Sequence, residues 1–98
     1  MNKYELIIIV SIRTTEDTRK EILDSIRNYI SKEGSILNIE NIGEKNLAYS
    51  IRKQNKGIYY IITFNDIPNE ISGLQSLCRI VEGILKYIVV KKDDEEGR

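Results

Sequence analysis

Lys3-Tyr4-Glu5-Leu6-Ile7-Ile8-Ile9-Val10-Ser11-Ile12-Arg13 is dense in β-branched residues and reads as a strand with two unlike faces. Tyr4, Leu6, Ile8, Val10 and Ile12 make one uniformly apolar face, which calls for helices packed on it. Lys3, Glu5, Ile7, Ile9, Ser11 and Arg13 make the other, which is only partly apolar and suits a partner or solvent. A sheet covered on one side and bare on the other is therefore the expectation, and the rest of the chain supplies its parts.

Thr14 or Thr15 caps a first helix, with Thr14-x-x-Asp17 fitting the capping box and Glu16 and Asp17 suiting the positive end of the dipole. Ile22, Leu23, Ile26 and Ile30 form its apolar stripe, and Gly34 is its stop. Residues 35–53 read as a long second strand with a bulge near Gly43. Gln54-Asn55-Lys56-Gly57 reads as a turn, and residues 58–65 as a third strand in which Tyr60, Ile62 and Phe64 alternate with Tyr59, Ile61 and Thr63. Pro68 suits the first turn of a second helix, with Asp66 as its cap and Ile71, Leu74, Leu77, Cys78 and Val81 as its stripe. Gly73 inside that stripe costs roughly 1 kcal/mol against Ala unless it permits close packing. Gly83 is expected to end the helix, and residues 84–92 make a fourth strand.

The order β-α-β-β-α-β, with two right-handed crossovers and one hairpin, predicts an α+β ferredoxin-like plait. Its four-stranded antiparallel sheet runs second, third, first, fourth, with both helices on one face. The 98 residues carry 15 basic and 15 acidic side chains and 41% apolar residues. A single domain over residues 1–92 is expected. Asp93, Asp94, Glu95 and Glu96 lie in an acidic C-terminal tail, residues 93–98, expected to be disordered. Without that tail the charge is +3, which argues against a domain that holds nucleic acid by bulk electrostatics alone. The longest uncharged apolar run, Leu6 to Ile12, is far short of the roughly 20 residues of a membrane helix. Nothing resembles a signal peptide, so a soluble intracellular protein is expected.

Catalysis is not expected. The chain has no His, so His-based triads and His-ligated metals are excluded. Cys78 is alone and lies in an apolar helical pattern, the setting of a buried inert thiol. No carboxylate pair has distinctive spacing and no Gly-rich phosphate loop appears, so no metal, cofactor or substrate is expected. Lys56-Gly57-Ile58-Tyr59-Tyr60-Ile61-Ile62-Thr63 lacks two of the three stacking aromatics of the RNA-recognition motif, which disfavours autonomous binding of single-stranded RNA.

On the bare face Ile7, Ile9, Tyr59 and Ile61 fall together on the two central strands, and contiguous exposed apolar surface marks a binding site. The second strand is a sheet edge, and Lys45, Leu47, Tyr49 and Ile51 on it are a poor choice for an edge facing only water. Which of Leu47, Tyr49 and Ile51 point outward depends on the bulge near Gly43. These eight residues are the candidate site for a protein partner. A small-molecule-sensing regulatory module of the same fold is the alternative.

Three segments carry a family resemblance. Lys3-Tyr4-Glu5 enters an aliphatic strand directly. The middle reads Gly43-Glu44-Lys45-Asn46-Leu47-Ala48-Tyr49-Ser50-Ile51, then Gly57 and Tyr59-Tyr60. The end reads Arg79-Ile80-Val81-Glu82-Gly83-Ile84-Leu85-Lys86-Tyr87-Ile88-Val89-Val90-Lys91. Together they resemble bacterial small-subunit ribosomal protein six over residues 2–92. Ser50 stands where that family has Pro, Glu44 where it has a basic residue, and Lys86 where it has a second Arg, which keeps charge but loses the bidentate fork. The resemblance implies a structural constituent of the small ribosomal subunit that binds ribosomal protein eighteen and, with it, the central domain of the small-subunit rRNA. It implies a location in the ribosome of a bacterial cytoplasm or of an organellar matrix or stroma. The 19 Ile, 8 Asn and 9 Lys fit an AT-rich genome of either kind. Candidate rRNA contacts are Lys3, Tyr4, Arg79, Lys86, Lys91 and Lys92.

Overall fold

The computed structural model describes residues 1–92, so the expectation for the acidic tail lies outside the described residues. The elements run β1 (Asn2–Ser11), α1 (Glu16–Ile30), β2 (Ser35–Ile51), β3 (Gln54–Asp66), a single 3-10 turn (Pro68–Glu70), α2 (Ile71–Ile80) and β4 (Ile84–Lys92). The sheet order is β2-β3-β1-β4 and every neighbouring pair is antiparallel, which is the ferredoxin-like plait expected from the sequence.

The covered face of β1 carries Tyr4, Leu6, Ile8 and Val10, all buried. They meet Ile22, Ile26 and Ile30 of α1, Leu74 and Cys78 of α2, and Tyr60, Ile62 and Phe64 of β3 in one core. Each of these side chains brings roughly 1.5–3 kcal/mol of burial, so this face anchors both helices. Ile12 falls past the end of β1 and is 41% exposed, so it leaves the apolar face that alternation assigned it.

Local chemistry fixes the element ends. Thr15 is the cap of α1, its Oγ1 accepting from the Thr18 backbone N–H at 3.1 Å. Thr14 instead donates its hydroxyl to the Ser11 carbonyl at 2.6 Å, so the Thr14–Asp17 box is not the cap. Pro68 opens the 3-10 turn rather than α2, and Asp66, 1% exposed, accepts from the Ile67 N–H at 2.8 Å. A Cβ on Gly73 would collide with the Tyr29 hydroxyl, which donates to Glu70 (2.9 Å to Oε1, 3.2 Å to the carbonyl). Gly73 thus permits the close packing of α1 on α2. The latter ends at Ile80, ahead of Gly83, whose carbonyl accepts from the Ser11 N–H at 2.8 Å and ties the β4 entry to the end of β1.

The β2–β3 hairpin departs most from expectation. Ile51 pairs with Gln54, so the turn is Arg52-Lys53, with φ of 51° and 64°. Positive φ at both central residues is the primed geometry that matches strand twist. Gln54 to Gly57 belong to β3 instead, with Lys56 opposite Asn46 and Gly57 opposite Lys45. The bulge expected near Gly43 is present, at φ 101°, where β2 advances two residues against one of β3. A larger irregularity follows: between Asn46 and Ile51, β2 advances five residues while β3 advances two, from Lys56 to Gln54. Leu47 to Ser50 therefore leave the ladder as a wide, loop-like bulge within β2.

Candidate protein and nucleic-acid interface

Strand register defines the bare face. Thr63, Glu5 and Val90 lie opposite one another across β3, β1 and β4; then come Ile61, Ile7 and Ile88; then Tyr59, Ile9 and Lys86. Ile7, Tyr59 and Ile61 are half-buried, and Ile88 and Val90 are 44% and 41% exposed. An aliphatic band thus crosses three strands with no helix over it. Ile88 and Val90 were missed in the sequence because Ile84 to Lys92 is apolar at both parities. Their phase is set by an irregularity opposite Ile9 and Val10, which pair with Lys86 and Ile84 and leave Leu85 between.

Ile9 departs from the expected bareness, at 7% exposed. The Leu47–Ser50 loop folds over it, and Ile9, Leu47, Ala48, Tyr49, Ile51, Tyr59 and Lys86 together line a cavity of about 160 Å³. Gly57 makes this possible: a Cβ there would collide with Ile9 Cγ2 and come within 3.7 Å of Leu47 Cδ2. The cavity lies below the roughly 300–1,000 Å³ of ordinary ligand pockets and suits a single side chain of a partner better than a metabolite. Tyr49 is 85% exposed on the loop, while Leu47 and Ile51 are half-buried and Lys45, exposed, stands at the loop's root opposite Gly57. Seven of the eight protein-partner candidates therefore share this surface, and Ile9 lies buried beneath it. The signal that could have revealed the loop is the density of apolar residues in Leu47-Ala48-Tyr49-Ser50-Ile51, which no single strand phase can bury.

The six candidate rRNA contacts do not gather. Lys3 and Lys92 face each other across β1 and β4, and Lys92 Nζ lies 3.8 Å from Glu5 Oε1. Lys91, exposed, is at the same end of the sheet, opposite Tyr4. Tyr4 itself belongs to the core: it is 6% exposed, stacks on Phe64 at 5.5 Å, and its hydroxyl accepts from Asn2 Nδ2 at 3.3 Å. Burial by the neighbouring ring removes it from the contacts expected at the surface. Arg79 is exposed in the last turn of α2, next to the other end of β4. Lys86 is six residues from Lys92 along β4, about 20 Å at roughly 3.3 Å per residue, and belongs to the cavity of the bare face.

Among the described residues no group of three His, Cys, Asp or Glu could hold a metal, and no helix is long and apolar enough to cross a membrane. Cys78 is 1% exposed, and burial pushes its thiol up to about 11, so near neutral pH it is a protonated core side chain.

The family model described as ribosomal protein S6 matches residues 3–91. The chain belongs to the ribosomal protein S6 family. It is 33% identical over 95 residues to small ribosomal subunit protein bS6 of Caldanaerobacter subterraneus subsp. tengcongensis, covering 96% of this chain and 100% of that one. It is likewise 33% identical over 94 residues to bS6 of Fusobacterium nucleatum, covering 95% and 100%. The crystal structure of 30S ribosomal protein S6 from Thermotoga maritima superposes with a TM-score of 0.89 at 24% identity, over 98% of this chain and 92% of that one, and shows the same fold. As a member of the S6 family the chain is a structural, non-enzymatic constituent of the small ribosomal subunit, a particle built on rRNA, in the bacterial cytoplasmic ribosome.

Proposed function

We propose that the chain enters the small subunit by docking ribosomal protein eighteen on its bare sheet face and then holding, jointly with it, the central domain of the small-subunit rRNA. The observation that carries this reading is the aliphatic band of Ile7, Ile61 and Ile88, continuous with the Leu47–Ser50 loop and its exposed Tyr49. An uncovered apolar band of this kind is unfavourable in water and gains from a protein partner. A near-neutral domain has little long-range pull on RNA, so affinity for protein first and phosphate second suits its charge. Lys3, Lys91 and Lys92 at one end of the sheet, with Arg79 at the other, are the basic residues offered to rRNA; sharing one RNA site makes binding of the two proteins mutually reinforcing.

Titration calorimetry with ribosomal protein eighteen tests the docking. Tyr49→Ala and Tyr59→Ala, each folded by circular dichroism, should lose about 1–3 kcal/mol of binding, as truncated aromatic anchors do. Normal affinity in both folded variants would refute the face as the site. For RNA, Lys3→Gln with Lys91→Gln should lower the slope of log affinity against log salt by about one per contact removed, and an unchanged slope would reject the pair.

A further inference from the structure

We infer that Lys86 is the charge anchor of the protein-docking face: it receives a carboxylate of the docked protein, whose neighbouring apolar side chain fills the cavity beneath Tyr49. This deepens, and rests on, the docking just proposed. Lys86 stands opposite Ile9 in the ladder, where the alternation of β4 sends it to the bare face with Ile88 and Val90. It lines the cavity with Ile9, Leu47, Ala48, Tyr49, Ile51 and Tyr59 and is the one charged side chain among these lining residues. Of the other lysines on or near that face, Lys92 lies 3.8 Å from Glu5 and Lys56 3.6 Å from Glu44, while Lys3 and Lys45, at its margins, share with Lys86 the lack of a carboxylate within ion-pair distance among the described residues. Among the described residues, no carboxylate comes within ion-pair distance of Lys86. Its register neighbours Ile9 and Tyr59 and its next same-face neighbour Ile88 are all uncharged.

Covering this face with a protein strips water from the Lys86 ammonium. An ammonium that loses water without gaining an acceptor is costly, so a fitting partner brings an anionic oxygen to that point. A surface that is apolar around one cation selects the complementary arrangement, one acid set among aliphatic or aromatic residues, and rejects a basic segment by like-charge repulsion. Lys86 is also about 20 Å along β4 from the Lys3–Lys92 end, which separates it from three of the four basic residues offered to rRNA, Arg79 being the exception.

The test uses ribosomal protein eighteen and the full chain. Lys86→Glu should weaken binding by about a hundredfold and Lys86→Met by about tenfold, with unfolding midpoints unchanged because the side chain is exposed. Changing the acids of protein eighteen to Lys one at a time should yield one variant that binds Lys86→Glu within about threefold of the original pair. Failure of every such swap, or affinity for both Lys86 variants equal to the parent, overturns the inference. If Tyr49→Ala and Tyr59→Ala still lose binding in that case, the docking face stands and only the role of Lys86 falls. Unchanged protein affinity with weakened rRNA binding by the preformed pair would assign Lys86 to a phosphate and overturn it. So would a dimer of the chain alone that Lys86→Glu dissolves, or tighter partner binding on deleting residues 93–98 that is absent in Lys86→Glu.

Discussion

Replacing Gly57 by Ala puts a methyl group where Ile9 Cγ2 now lies. The next neighbours of that methyl are the Val10 carbonyl oxygen at 3.5 Å and Leu47 Cδ2 at 3.7 Å, so backbone closes one side and the loop another. Ile9 must yield, yet it is 7% exposed and held between Tyr59 and Lys86. Overpacking of this kind costs about 1–3 kcal/mol. The opposing gain, from a stiffer unfolded chain, is only about 0.4–1 kcal/mol. Gly57→Ala should therefore lose about 1–2 kcal/mol, or roughly 4–16 °C in Tm at ~4–8 °C per kcal/mol. Ile9→Ala alone should cost about 2–4 kcal/mol as a truncated core aliphatic. In the double variant the new methyl occupies space that Ile9 vacates, so the loss should fall short of the sum by about 1–2 kcal/mol. Urea unfolding of the four proteins measures all of these terms. Additivity to within about 0.5 kcal/mol, or a Gly57→Ala protein as stable as its parent, would refute the covered position of Ile9 and the cavity built on it.

Cys78 carries a pH signature. Its folded thiol is held at about 11 against 9.0, so the unfolded chain releases this proton first, and the stability involved, full below pH 9, is lost as pH rises toward 11. Roughly 2–3 kcal/mol should disappear across that window in the parent and not in Cys78→Ala, read from urea midpoints at pH 8 and 11; equal declines would show that other groups govern the alkaline limb. Lys53→Gly should stabilise by up to about 1 kcal/mol, since Lys53 holds a φ of 64° that glycine adopts freely. A loss of stability in that variant would mean the hairpin turn is not primed.

The two faces of the first strand were legible from alternation alone, because Tyr4, Leu6, Ile8 and Val10 leave no other phase that buries them. With that strand central, element order sufficed for the rest of the sheet. The hairpin turn was not legible. Gln54-Asn55-Lys56-Gly57 has turn composition, yet Gly57 is glycine because Ile9 approaches it, and the true turn uses Arg52 and Lys53, which carry no turn signal. The Gly43 bulge announced itself by its glycine; the Leu47–Ser50 loop has none and is held by what it covers. Lys86 counts among the candidate RNA contacts by its charge, which is visible in a sequence, whereas its place on the bare side of the sheet is not. Tyr4 counts among them too, and its stacking on Phe64 comes from pairing across strands 60 residues apart, beyond any local pattern.

The central position of β1 also bears on how the protein is made. Of the four strands, β1 leaves the ribosome first and receives one of its two neighbours last, since Lys3 to Val10 pair with Ile84 to Lys92. Until those residues emerge, one hydrogen-bonding edge of this aliphatic strand is unpaired, and α2 lacks the β4 surface it packs against. A product of translation stopped before Ile84 would present that edge to any other strand, including its own copies, and such an edge templates aggregation. Solubility of nascent fragments should accordingly change abruptly with the completion of β4 rather than gradually with length.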